Sequence, residues 1–140
     1  MLRDVVSELY YHGNGHNFSC SEAMIRGIDT YYQLDLPKEV LYAASGSSGG
    51  CRHDEMCGAL AGSIFALGIL YSVKDHAHDS ELMGDLREQL FKRFEERFGP
   101  YRCVELKKRY HTVERKCEVL LLECADILED LIRSNEIINK

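Results

Sequence analysis

A chain of 140 residues, 45% hydrophobic and with a formal charge of −6, is long enough to bury about two thirds of its unfolded surface as one domain without covalent staples. The acidic balance and the lack of any Lys/Arg-rich run exclude the clustered positive footprint that nucleic acid or an anionic membrane surface requires. The first residues, Met1-Leu2-Arg3-Asp4-Val5-Val6, carry neither an apolar signal core nor a small-residue cleavage site, so the six cysteines are expected in a reducing cytoplasm, as thiols or metal ligands rather than permanent cross-links.

In chain order, Leu2, Val5, Val6, Leu9 and Tyr10 recur at helical spacing, and the Gly13 to Gly15 stretch is expected to end that first helix. Ser19-Cys20-Ser21-Glu22 reads as a capping box, which starts a second helix at Cys20 and carries it to about Tyr32. Pro37 opens a third helix, with Val40 and Leu41, that fades at Ser45. The stretch Ser45-Gly46-Ser47-Ser48-Gly49-Gly50-Cys51-Arg52-His53-Asp54 is a loop whose glycines permit positive φ and close backbone approach, a composition that suits either a site-lining loop or a plain connector.

A fourth helix is expected from about Glu55 to Ser72, N-capped by Asp54, with Gly58, Gly62 and Ala66 forming one smooth strip. Glycine inside a helix costs about 1 kcal/mol relative to alanine, so Gly58 and Gly62 imply that a neighbouring backbone or a cofactor presses close. The apolar run from Met56 to Tyr71 is shorter than the roughly 20 residues of a membrane span and reads as a helix buried in a soluble core. His76-Ala77-His78, between Asp75 and Asp79, is a polar link that reads as solvated, with divalent-metal binding the weaker alternative.

Ser80 caps a fifth helix with Leu82, Leu86, Leu90, Phe94 and Phe98 on one stripe, stopped by Gly99-Pro100. Cys103 opens the next segment, whose Lys107, Lys108 and Arg109 read as a solvated face beside Glu105 and Glu114. A last helix from about Thr112 or Val113 presents Cys117, Leu120, Leu121, Cys124, Leu128 and Leu131. No strand-like alternation or repeat interrupts this pattern, so the expected fold is all-α: residues 1–140 as a single-domain bundle of five to seven helices.

The positions of the cysteines carry the chemistry. Cys20 and Cys57 fall in the first turns of their helices, where the helix dipole favours thiolate, the form that nucleophilic redox chemistry and metal ligation both need. Cys51 lies six residues before Cys57 and reads either as the resolver of a sulfenate or disulfide on it or as a bystander, and His53 is the candidate acid/base partner. Cys117 and Cys124, about 10.5 Å apart along one helix, cannot pair. Cys124, among Leu121, Leu122 and Ala125, reads as a core residue.

These cysteines and their neighbours resemble the C-GCAxxG-C-C family of small helical redox-active proteins, over nearly the whole chain. The central element stands as Cys57-Gly58-Ala59-Leu60-Ala61-Gly62, the upstream cysteine as Cys20 and the third as Cys103. The fourth is Cys117 with Cys124 as a rival, and Cys51 is an addition to the pattern. The resemblance implies redox activity without naming a substrate, and similar modules are associated with iron–sulfur binding in some cytochrome-like proteins. Two readings follow. In one, a thiol oxidoreductase uses Cys57 as nucleophile and Cys20 or Cys51 as partner. In the other, an electron carrier or sensor holds an iron–sulfur cluster or zinc on Cys20, Cys57, Cys103 and Cys117. A structural bundle with cysteines as packing residues is the bland third. The implied partner is a redox partner of unidentified kind, with neither nucleic acid nor a membrane span involved.

Overall fold

The computed structural model describes residues 1–10, 18–73, 75, 76, 78 and 80–139. The chain is all-α: α1 (Leu2–Leu9), α2 (Cys20–Tyr32), α3 (Lys38–Ala44), α4 (Gly58–Tyr71), α5 (Glu81–Phe98), α6 (Cys103–Tyr110) and α7 (Glu118–Arg133), with a 3-10 turn at Ser45–Ser47 and a π-type turn at Gly50–Asp54 between α3 and α4. Among the described residues only isolated β-bridges occur, and no helix is long and apolar enough to cross a membrane.

α4 forms the axis of the bundle. Its apolar residues face all round rather than along a stripe, so ten of its fourteen residues are buried. α2 and α7 cover it with Met24, Ile25, Ile28, Leu121, Leu128 and Leu131, and α1 lies across both through Leu2 and Val6. The smooth strip is a packing device. A Cβ on Gly62 would stand 2.9 Å from the Ser21 Cα and 3.0 Å from the Ser21 carbonyl oxygen, so α2 and α4 touch backbone to backbone. Gly62→Leu is therefore expected to lower stability by about 1 to 3 kcal/mol through overpacking. The urea midpoint reports it, and an unchanged midpoint would show the contact to be loose.

Several boundaries differ from the sequence expectation. The Gly13 to Gly15 stop lies outside the described residues, as do Ala77 and Asp79 of the histidine link. Ser19 is the N-cap of α2, but its hydroxyl bonds the Ser48 hydroxyl instead of the helix, and Glu22 pairs with Arg26 at 2.8 Å instead of closing a capping box. In α5 the buried stripe starts at Met83, with Leu82 only half-buried, while the Ser80 hydroxyl accepts the Met83 N–H as anticipated. α7 starts at Glu118 rather than near Thr112. Residues 112–116 fold back on themselves through paired Thr112 and Lys116 backbone hydrogen bonds, and Lys116 is left-handed at φ 54°.

A candidate thiol-lined site

Four of the six cysteines stand at helix N-termini. Cys20 is the first residue of α2 and Cys103 the first of α6, while Cys57 and Cys117 are the N-caps of α4 and α7. Cys57 and Cys117 are thus shifted from the positions inside helices expected from sequence. Asp54 does not cap α4; it belongs to the π-type turn, at φ 54°.

These four termini are brought to one end of the bundle by backbone pairing. Residues 55–57 run against 101–103 as a short antiparallel bridge. The Cys57 N–H donates to the Tyr101 carbonyl at 2.8 Å, and the Cys103 N–H donates to the Glu55 carbonyl. The Gly/Ser loop is no plain connector. The Ser21 hydroxyl bonds the Ala44 carbonyl at 2.6 Å and meets the Ser48 hydroxyl at 2.9 Å, which ties the loop to the start of α2. Gly49 and Gly50 are left-handed, and so are Cys51, Arg52 and Asp54, which carry side chains. The Cys117 N–H donates to the Tyr10 hydroxyl at 3.2 Å, so α1 fixes the start of α7.

The result is a cavity of about 460 Å³ with all four sulfur-bearing residues in its wall, along with Gly58, Ser19, Ser48, Tyr10, Arg52, Asp54, Lys107 and His111. Cys20 and Cys57 are neighbours across it: a Cβ on Gly58, the residue next to Cys57, would run into the Cys20 Sγ. Gly58 therefore makes room for a sulfur. Gly62 lies outside the cavity lining and packs against α2.

Burial governs the ionisation of these thiols. The Cys57 thiol is pushed up to about 12 by loss of solvent, against the opposing pull of the Leu60 and Ala59 N–H groups, with Cys20 and Cys103 adding to the rise. Cys117 is pushed up to about 11 by burial, and Cys20 and Cys103 also rise for that reason. The expected dipole-ionised thiol at Cys57 is thus reversed: the N–H groups of the first turn act on it, but desolvation is larger. Cys20 is half-buried, is opposed in its rise by the N–H groups of Gly49, Ser21 and Cys20 itself, and is the more open of the pair.

The remaining candidates separate cleanly. Cys124 is fully buried, with its thiol raised well above the ordinary range by burial and its side chain bonded to Ser63, so Cys117 and not Cys124 is the fourth cavity cysteine. Cys51 and His53 are exposed and stand outside the cavity lining, against the expectation that they serve Cys57. Among the described residues, the histidine that reaches the cavity is His111. Lys107, read from sequence as a solvated face, lines it too, pairs with Asp54 at 3.5 Å and lowers the thiols of Cys20, Cys103 and Cys117. Tyr10 was visible only as part of an apolar stripe, and no sequence signal marks its hydroxyl. Among the described residues no group of three or more His, Cys, Asp or Glu side chains is arranged to hold a metal ion.

No curated protein and no solved structure matches the chain. A family model described as "Putative redox-active protein (C_GCAxxG_C_C)" matches residues 18–131, which span all the cavity cysteines. The chain belongs to the C_GCAxxG_C_C family of redox-active proteins.

Proposed function

We propose that the protein is a thiol–disulfide oxidoreductase whose working pair is Cys20 and Cys57. The observation that carries this reading is the contact of the Cys20 sulfur with Gly58, one residue from Cys57, in the wall of a solvent-reachable cavity. In the first step the half-buried Cys20 thiolate attacks a disulfide, forms a mixed disulfide and releases one thiol. In the second, Cys57, expected from sequence to attack the substrate, acts instead as the resolving thiol: its thiolate attacks the Cys20 sulfur, closes the Cys20–Cys57 disulfide and releases the second thiol. Two electrons pass from the protein to the substrate, and the two thiol protons leave with the two released sulfurs. The chemistry runs in reverse when the protein oxidises a dithiol. Cys103 and Cys117 complete the sulfur wall.

Trapping tests the assignment. Cys57→Ser should accumulate a mixed disulfide on Cys20 when mixed with an aromatic disulfide, whereas Cys20→Ser should accumulate none on Cys57. Mass spectrometry reads both, and a mixed disulfide on Cys57 in the second variant would reverse the roles.

The convergence of the same four residues favours a second reading, an iron–sulfur cluster or zinc held by Cys20, Cys57, Cys103 and Cys117. Four thiolates are the usual complement for either. The arrangement of the side chains supports exchange over ligation, since no three of them form a ligand group. Metal analysis and a visible spectrum after anaerobic purification separate the two: exchange predicts titratable thiols and no stoichiometric metal.

A further inference from the structure

We infer that the thiol cavity takes small disulfides or thiols bearing carboxylates, in preference to neutral or cationic ones and to protein disulfides. This inference rests on the exchange reading above and names the substrate class for the same site. Three features of the wall point to it. Its size, about 460 Å³, is that of a pocket for a small molecule. Cys20, the sulfur that meets the substrate, is half-buried in the cavity wall rather than raised on the surface, so a small disulfide that enters the cavity reaches it more readily than one fixed on a folded protein.

The third feature is charge. In a chain of net charge −6, the ionisable side chains of this wall among the described residues, other than its thiols and the Tyr10 phenol, are Arg52, Lys107 and His111 against the single carboxylate of Asp54. Asp54 is already paired with Lys107 at 3.5 Å, and Arg52 forms no ion pair or hydrogen bond among the described residues. Arg52 is exposed at the cavity edge, held there on a left-handed backbone at φ 58°. A guanidinium without a partner beside a sulfur-lined cavity suits a carboxylate carried a few bonds from a disulfide. The four helix N-termini that meet at the wall add fixed positive potential of the same sign. The reaction is balanced as one disulfide and the Cys20–Cys57 dithiol giving two acidic thiols and the protein disulfide.

The test compares three disulfides of similar length: dithiodipropionate (anionic), hydroxyethyl disulfide (neutral) and cystamine (cationic). Each rate with the reduced protein is divided by that disulfide's rate with free dithiothreitol, an uncharged dithiol. The expected order is anionic, neutral, cationic, with the anionic rate about tenfold above the neutral one at low salt and the difference shrinking with added salt. Arg52→Gln should collapse the anionic-to-neutral ratio toward one. Exchange with all three at equal normalised rates, or fastest with cystamine, overturns the inference and leaves the exchange reading standing. If none of the three exchanges, the exchange reading fails, and a sulfur-free dicarboxylate decides the remainder. Adipate should slow iodoacetamide labelling of Cys20 severalfold, and an unchanged labelling rate overturns anion binding in the cavity.

Discussion

Between pH 8 and pH 11 the folding stability of the reduced protein is expected to fall steeply, by several kcal/mol. A thiol raised in the folded state stays protonated there while its unfolded counterpart ionises near its ordinary value of about 8.5 to 9. Above that value the unfolded chain binds fewer protons than the native one, so stability declines as pH rises. The contribution is fully present below pH 8 and is lost on the way to the folded value, about 12 for Cys57 and about 11 for Cys117. Each such thiol removes about 1.4 kcal/mol per pH unit within its window. Cys124, fully buried and also raised by desolvation, adds to the slope. Urea unfolding at pH 7.5, 9 and 10.5 checks this. Replacing Cys57 with alanine should reduce the slope by about one thiol's share, whereas a pH-independent midpoint would show that these sulfurs are not desolvated.

The second large effect is expected at Gly50. Its backbone is left-handed at φ 62°, and a Cβ there would meet the Glu55 nitrogen at 2.5 Å and the Cys103 Cβ at 2.7 Å. Both neighbours are held: the Glu55 N–H donates to the Gly50 carbonyl at 3.0 Å, and Cys103 is tied to the Glu55 carbonyl. Gly50→Ala therefore carries about 1 to 2 kcal/mol for the backbone conformation and about 1 to 3 kcal/mol for overpacking. Calorimetry should show a melting temperature lower by several degrees. Because the displaced atoms join the bridge between Cys57 and Cys103, iodoacetamide labelling of Cys103 should rise as well. Gly46→Ala is the control, since nothing lies within 4 Å of a Cβ there.

Elements set by local chemistry were legible in the sequence. Cys20 at the start of α2, the Ser80 cap and Gly99 stop of α5, the crowding at Gly62 and the core position of Cys124 each follow from residue type and spacing over a few residues. The site was legible only in outline. The order of cysteines pointed to four sulfurs at one end of a bundle, but the start of α4 was set by the pairing of residues 55–57 with 101–103, a contact between segments far apart in sequence. Asp54 is a good N-cap residue by type, and tertiary pairing overrode it. Ionisation was misjudged for a related reason: a helix start is visible in the sequence, whereas the burial that outweighs it depends on α2, α6 and α7 closing over the same point. Lys107, His111 and Tyr10 carry no local signature of a site, and their place in the wall comes from how α1 and α6 are docked.

Mapping the first disulfide to form tests whether Cys20 and Cys57 are the working pair. Reduced protein is treated with one equivalent of oxidant at pH 8, the free thiols are blocked, and the digested peptides are sequenced by mass spectrometry before and after reduction. The first disulfide is expected to join Cys20 to Cys57, with Cys124 recovered as a free thiol. A first disulfide that joins Cys51 to Cys57, or Cys103 to Cys117 with Cys20 and Cys57 still free, would contradict that pairing.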